Sequence, residues 1–297
     1  ILFTGEQVDA STAARMGLAD EVTDGDPVEA ALAFVGRMAE NAPLSLISAK
    51  AAIREILKDP SARDLEAMFA DSEVDVVQCA RGGYGSAQLI PKLDFELIAA
   101  NPKPFVGYSD ITALHIALRQ KAGLATFYGY GLHGVGDPET TALTLERLLA
   151  VLQGETTGAI PPNPDDPYVR AITPGKVTAP LVGGCFWLLM HTMGTPWEFD
   201  ADGCILFFED TDNQAWYVDG FLVQLEQAGK LAGVAGVVVG EMTNCDWPHP
   251  GSNDFPRVKS IEDVLEERLR PLGVPVIYNL PLGHGKHLAT LPLGVMA

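Results

Sequence analysis

The chain has 297 residues, 47% hydrophobic and 20% charged, which allows two or three compact domains and excludes disordered and collagen-like classes. Thirty-nine acidic against twenty basic residues leave a formal net charge of -19, which repels phosphate backbones and anionic lipid surfaces, so neither nucleic acid nor a membrane is expected as a partner. Four cysteines (Cys79, Cys185, Cys204 and Cys245) without a C-x-x-C pair signal neither a zinc site nor a disulfide framework and fit a reducing, cytoplasmic setting. The most apolar stretches, 181–190 and 231–240, are glycine-broken and far shorter than the ~20 residues a membrane span needs. The chain opens on Ile1 with no signal-peptide pattern, so it reads as a piece of something or as a processed product.

Residues 1–59 read as helical: Asp9 caps a first helix that Gly17 ends, and Pro27 and Pro43 open two more. After residue 59 the pattern becomes strand, glycine-rich turn and helix, the alternation of an α/β fold. Residues 74–79 read as a strand, 104–106 as a second short apolar run and 111–118 as an amphipathic helix entered directly from Gly107-Tyr108-Ser109-Asp110. Pro161, Pro162, Pro164, Pro167 and Pro174, in a polar stretch over 154–180, read as a linker between two lobes. Beyond it, 204–208, 234–239 and 274–278 read as strands and 218–228 as a helix.

A serine at a strand-to-helix turn is either a helix cap or an exposed nucleophile whose oxyanion the first helical N–H groups stabilise. Ser109 fits both descriptions, and a nucleophile needs a base and an orienting carboxylate elsewhere in the chain. His115, on a helix, reads as packing or surface, whereas His133, His191 and His249 have weak local context. His284 lies in Gly283-His284-Gly285, a flexible loop beyond a strand end, where α/β sheets place active groups. His287 makes a His-x-x-His metal pair conceivable, but no third ligand cluster accompanies it, so no metal or cofactor is expected. Glu209-Asp210 ends the apolar strand 204–208, either as a solvated turn or as an acid carried to the sheet rim. The glycines of Arg81-Gly82-Gly83-Tyr84-Gly85 let backbone N–H groups approach a phosphate, an oxyanion or a substrate backbone.

From about Arg63 onward these motifs resemble the LD-carboxypeptidase family of serine peptidases, which includes the microcin C immunity peptidases. The resemblance rests on the Arg81 loop, Leu93-Asp94-Phe95, Pro102-Lys103, Gly107-Tyr108-Ser109-Asp110, Gly183-Gly184, Gly194-Thr195-Pro196, the apolar strand ending in Glu209-Asp210, and Pro281-Leu282-Gly283-His284. It implies Ser109 as nucleophile, His284 as general base and then acid, Glu209 as the orienting carboxylate, and the N–H groups of Asp110 and Gly83 as the oxyanion hole. It also implies metal-independent hydrolysis of an amide at an L,D junction of a small murein peptide. The implied fold is a two-lobed α/β serine peptidase: a partial parallel-sheet nucleophile domain over 60–155, a linker over 156–180, and a mixed α/β domain over 181–297 carrying the glutamate and histidine.

Three departures qualify that resemblance. Asp219-Gly220 stands where the family often has an aspartate-arginine pair, so an arginine contact is expected to be missing. Cys185-Phe186-Trp187 is bulkier than the usual text after the paired glycines. Residues 1–59 are instead similar to the C-terminal part of enoyl-CoA hydratases of the crotonase family, which makes the chain a chimera or fusion and leaves 71–79 as an expected open sheet edge. The other readings are a microcin-type acyl-adenylate amide hydrolase, a promiscuous esterase, and an inactive chimera whose front segment holds a homodimer or other homo-oligomer together.

Overall fold

The computed structural model describes residues 65–135, 137, 139–155, 158–246 and 259–297, with isolated positions before residue 65. Ile1–Ile47 and Ser48–Ala297 form separate compact units. The helices and the crotonase-like text expected over 1–59 lie outside the described residues, apart from those isolated positions.

In chain order the first elements of the second unit are α1 (Leu65–Ala70), β1 (Val77–Gln78), α2 (Ser86–Leu89), α3 (Phe95–Ala100), β2 (Phe105–Gly107), α4 (Thr112–Ala122), β3 (Thr126–Tyr128) and α5 (Ala142–Leu152). There follow β4 (Arg170–Thr173), β5 (Leu181–Cys185), α6 (Phe186–Thr192), β6 (Ile205–Thr211), α7 (Ala215–Gln227), β7 (Gly236–Thr243), α8 (Ile261–Leu269), β8 (Val276–Tyr278) and β9 (Leu291–Leu293). They build two sheets, one of order β1-β2-β3-β9 and one of order β4-β8-β7-β6-β5. Within the first sheet β1, β2 and β3 are parallel and β9 is antiparallel to β3. In the second, β5 to β8 are parallel and β4 is antiparallel to β8. The α/β architecture expected from the alternating text is therefore present.

Three boundaries differ from the sequence reading. The strand expected over 74–79 is confined to Val77–Gln78. Ahead of it the Lys103 ammonium binds the carbonyls of Asp71 and Val74, which takes the Val74 carbonyl out of any ladder. β1 does stand at the end of its sheet among the described residues, the edge position anticipated for 71–79. The proline-rich stretch is not only a connection: β4 falls inside it and pairs with β8 at the edge of the second sheet. Nor do all strands after the linker stay with the second sheet, since β9 crosses back to the first, with Phe127 opposite Pro292.

Apolar spacing decides the cores. The text of α4 predicts an amphipathic helix, yet Thr112 to Leu118 are all buried, because the helix packs against α3 and β3 on one side and against β5 and α6 on another. One core lies on the α3–α4 side of the first sheet, around Phe69, Phe105, Ile98 and Leu118. A second lies between α7, α8 and the second sheet, around Phe208, Leu222, Val239 and Leu265. A third joins the sheets, with Tyr128 of β3 against Phe207 of β6 and Leu291 of β9. At roughly 25 cal/mol per Å² of apolar surface removed from water, this shared core holds the first sheet to the second. Gly184 of β5 belongs to the same junction, since a Cβ there would lie 2.5 Å from Thr112 Oγ1.

Candidate active site

β2 ends at Gly107, and the chain turns through Tyr108 into a single 3₁₀ turn, Ser109–Ile111, that runs directly into α4. Ser109 has φ 62°, a left-handed backbone that a residue with a Cβ rarely adopts and that survives only where the surroundings hold it. Two contacts do so. Ser109 N–H donates to the Tyr128 hydroxyl at 3.1 Å, and the backbone of Gly82 lies so close that a Cβ there would sit 2.7 Å from Ser109 Cβ. The turn is thus wedged between β3 and the glycine-rich loop that follows β1.

Asp110 holds that loop. Its buried carboxylate accepts from the Ser86 N–H at 2.9 Å and the Ser86 hydroxyl at 2.7 Å, fixing the start of α2. Gly83, within the loop, has φ 127° with open space where a Cβ would project. Among the described residues no hydrogen bond occupies the N–H of Gly83 or that of Asp110.

β6 carries Glu209 to the end of the second sheet, where its side chain is fully buried. One carboxylate oxygen, Oε1, accepts from the Tyr128 hydroxyl at 2.5 Å; the other, Oε2, accepts from His284 Nδ1 at 2.8 Å. A carboxylate can only accept, so Nδ1 carries the proton and Nε2 offers its lone pair to Ser109 Oγ, 2.9 Å away. The structure therefore brings Ser109, His284 and Glu209 into one hydrogen-bonded line drawn from both sheets. Each separation lies within reach for proton transfer. Burial lowers the His284 pKa, but the Glu209 bond and charge outweigh it and leave the imidazole above its ordinary value.

In the His284 loop the flanking glycines are closely packed. Gly283 has φ 124°, and a Cβ there would lie 2.3 Å from Glu209 Oε2; a Cβ on Gly285 would lie 1.6 Å from Glu241 Oε2. The glycines flanking the histidine thus let the backbone approach two carboxylates closely. His115 is buried and donates from Nε2 to the Gly107 carbonyl at 2.9 Å, bracing the end of β2; burial pushes it down to about 4 and keeps it neutral. His287 bonds Thr141 Oγ1 at 3.0 Å and lies 3.3 Å from the Asp165 carboxylate, and among the described residues no group of three metal-ligating side chains occurs. Asp219 pairs with Arg268 of α8 at 2.6 Å, while Gly220 leaves the position after it without a side chain.

Sequence reasoning missed Tyr128, Asn163 and Glu241. Glu241 carried a readable signal, since it ends the apolar run 237–239 of β7 just as Glu209 ends that of β6. Tyr128 carried none: its hydroxyl acquires meaning only when β3 is laid against β6. Cys185, beside the site, offers no competing nucleophile, because burial first and then the Glu209 and Asp210 charges push its thiol far up.

Residues 39–129 match the LD-carboxypeptidase N-terminal domain and residues 178–297 the LD-carboxypeptidase C-terminal domain. The first match begins inside the segment read as crotonase-like. The chain is 37% identical over 243 residues to the probable murein peptide carboxypeptidase of Bacillus subtilis (strain 168), spanning 80% of this chain and 73% of that relative. Its fold is similar to that of the MccF-like protein from Bacillus anthracis str. Ames, with TM-score 0.67 and 26% identity over 81% of this chain and 78% of the other. It is also similar to muramoyltetrapeptide carboxypeptidase from Oxalobacter formigenes, with TM-score 0.64 and 28% identity over 80% and 77%. The chain belongs to the LD-carboxypeptidase family of serine peptidases.

Proposed function

We propose that the chain is a serine carboxypeptidase that cleaves the amide at an L,D junction of a small murein peptide. The observation that carries this reading is the continuous line Glu209–His284–Ser109, with its 2.8 Å and 2.9 Å separations. In the proposed cycle His284 Nε2 takes the Ser109 hydroxyl proton as Oγ attacks the scissile carbonyl. Glu209 stabilises the imidazolium so formed, and the free N–H groups of Asp110 and Gly83 receive the oxyanion. His284 then protonates the departing amine, and the same base activates the water that releases the acyl group. The likeness to murein peptide and muramoyltetrapeptide carboxypeptidases supports the choice of substrate.

A second reading, an acyl-adenylate amide hydrolase, draws on the likeness to the MccF-like neighbour. The reading includes a cytoplasmic setting and a homodimer or other homo-oligomer, which light scattering tests directly. The crotonase-like opening is read over residues 1–59, of which only 1–38 lie ahead of the matched family domains, so removing 1–38 should leave hydrolysis intact.

The test is labelling of the intact chain with a fluorophosphonate, read by mass spectrometry, beside assays on murein tetrapeptide and on an aminoacyl sulfamoyl adenylate. Modification of Ser109 alone, lost in Ser109→Ala, with release of the terminal D-residue, is the expected result. A folded protein that neither labels nor cleaves is the inactive alternative.

A further inference from the structure

His284 stands in an irregular segment between β8 and β9, so no ladder or helix holds the imidazole in line. What holds it is a set of backbone and side-chain contacts that converge from two other parts of the chain. On the first side, Glu241 at the end of β7 donates its N–H to the Leu282 carbonyl at 2.9 Å, and its carboxylate lies against Gly285. Glu209 on the neighbouring strand lies against Gly283 in the same way. The two glycines that flank the histidine are each backed by an acid from adjacent parallel strands.

On the second side, the proline-rich stretch supplies a strap. Asn163 is 5% exposed, and its Oδ1 accepts the N–H groups of Asp165 at 2.9 Å and Asp166 at 3.3 Å. Those bonds fix which way the amide faces, so Nδ2 points outward to Glu241 Oε1, 2.5 Å away. The strap then grips the histidine segment on both sides of residue 284. Asp165 pairs with Lys286 at 2.7 Å and approaches His287 at 3.3 Å, while Asp166 accepts from Asn279 Nδ2 at 3.0 Å. Pro161, Pro162, Pro164 and Pro167 restrict the backbone of the strap, which lowers the entropy lost in holding it there.

We propose that Glu241 and Asn163 are a positioning pair for the reaction, joining the proline-rich strap to the loop of His284 so that the imidazole stays in line between Glu209 and Ser109. The inference rests on the triad reading above. Burial pushes the Glu241 carboxyl up to about 7 against the opposing pull of the Asn163 bond, as a closely packed acid at this junction should behave.

The experiment measures the second-order rate of fluorophosphonate labelling of Ser109, with kcat and KM for murein tetrapeptide, in the full chain and four variants. Misplacing a reacting group by about 1 Å costs on the order of 10²-fold in rate. Glu241→Ala and Asn163→Ala are therefore expected to lower labelling and kcat by about 10- to 100-fold with KM within about threefold. Glu241→Gln, which keeps an oxygen for Asn163, is expected to restore labelling to within about threefold of the parent. Lys286→Ala, at an exposed clamp of the same strap, keeps the test available where a buried variant fails to fold, and is expected to slow labelling about threefold. Parental labelling in folded Glu241→Ala, or a loss confined to KM, overturns the positioning role. Absence of Ser109 labelling in the parent overturns the triad reading itself, and the positioning role with it.

Discussion

Tyr128 and Glu209 are bonded across the junction of the two sheets: the phenol of β3 donates at 2.5 Å to the carboxylate of β6, and the same phenol oxygen accepts the Ser109 N–H at 3.1 Å. One hydroxyl thereby sets the serine turn and the carboxylate relative to each other. Tyr128→Phe keeps the packing against Phe207 but leaves Glu209 Oε1 and the Ser109 N–H without this partner. Leaving such buried groups unpaired costs roughly 1–3 kcal/mol, or about 2–4 °C of Tm per kcal/mol in a domain of this size. The expected result is a Tm lower by several degrees, together with a fall in kcat of about tenfold or more, read by calorimetry and by tetrapeptide hydrolysis.

Gly283 cannot carry a side chain. Its φ of 124° is strained for any other residue, and a Cβ would meet the buried Glu209 Oε2 at 2.3 Å. Gly283→Ala should therefore displace the His284 loop and lower kcat by about 100-fold. Gly273→Ala is the control, because Gly273 also has positive φ, 69°, but open space around it. Equal activity losses in the two variants would show that backbone strain alone, and not the approach to Glu209, is responsible.

His284 works as a base only when neutral, and its pKa is raised because the Glu209 bond and charge exceed the effect of burial. The ascending limb of kcat/KM against pH should accordingly lie above the ordinary imidazole value near 6.5. Glu209→Gln removes the raising charge, so whatever activity survives should show that limb at lower pH. A limb that stays in place would mean that another group controls it.

Stability should also depend on pH with a definite sign. Burial raises Asp210 to about 6 and Glu241 to about 7, and His284 is raised as well. For all three the folded state binds the proton more tightly, so their contribution is fullest below the unfolded values and is lost as pH climbs through the folded ones. Asp165 and Glu198 act in the opposite sense, because bonds to Lys286 and Lys230 lower their pKa, and their contribution is lost only in stronger acid. Tm should therefore fall between about pH 5 and pH 8, less steeply in Asp210→Asn, as thermal melts in matched ionic strength would show.

How far the molecule was legible in its sequence depends on what each signal rests on. β6 was readable because an unbroken apolar run needs burial on both faces, and Glu209 inherits its place from that strand. The turn at Ser109 was readable from the apolar run that stops at Gly107 and the helix that begins at Thr112. Gly283-His284-Gly285 was visible as a motif, but not the close approach its glycines allow, since glycine signals mobility and close approach with the same letter. Asn163 was hidden for a related reason: prolines announce an irregular chain without saying what it is pressed against. β9 was hidden because its partner β3 is remote in the chain, and three residues carry too little pattern to name it.

The return of β9 has a bearing on synthesis. The parallel strands of the first sheet emerge early, yet the antiparallel neighbour of β3 is Leu291–Leu293, and Ala179 and Ala297 exchange backbone hydrogen bonds beside it. The sheet that carries the serine is thus sewn shut by a stitch the ribosome makes only after the whole second sheet. A nascent chain that has not reached β9, or one clipped ahead of it, would hold Ser109 in an unfinished sheet, so hydrolytic competence waits for Leu293.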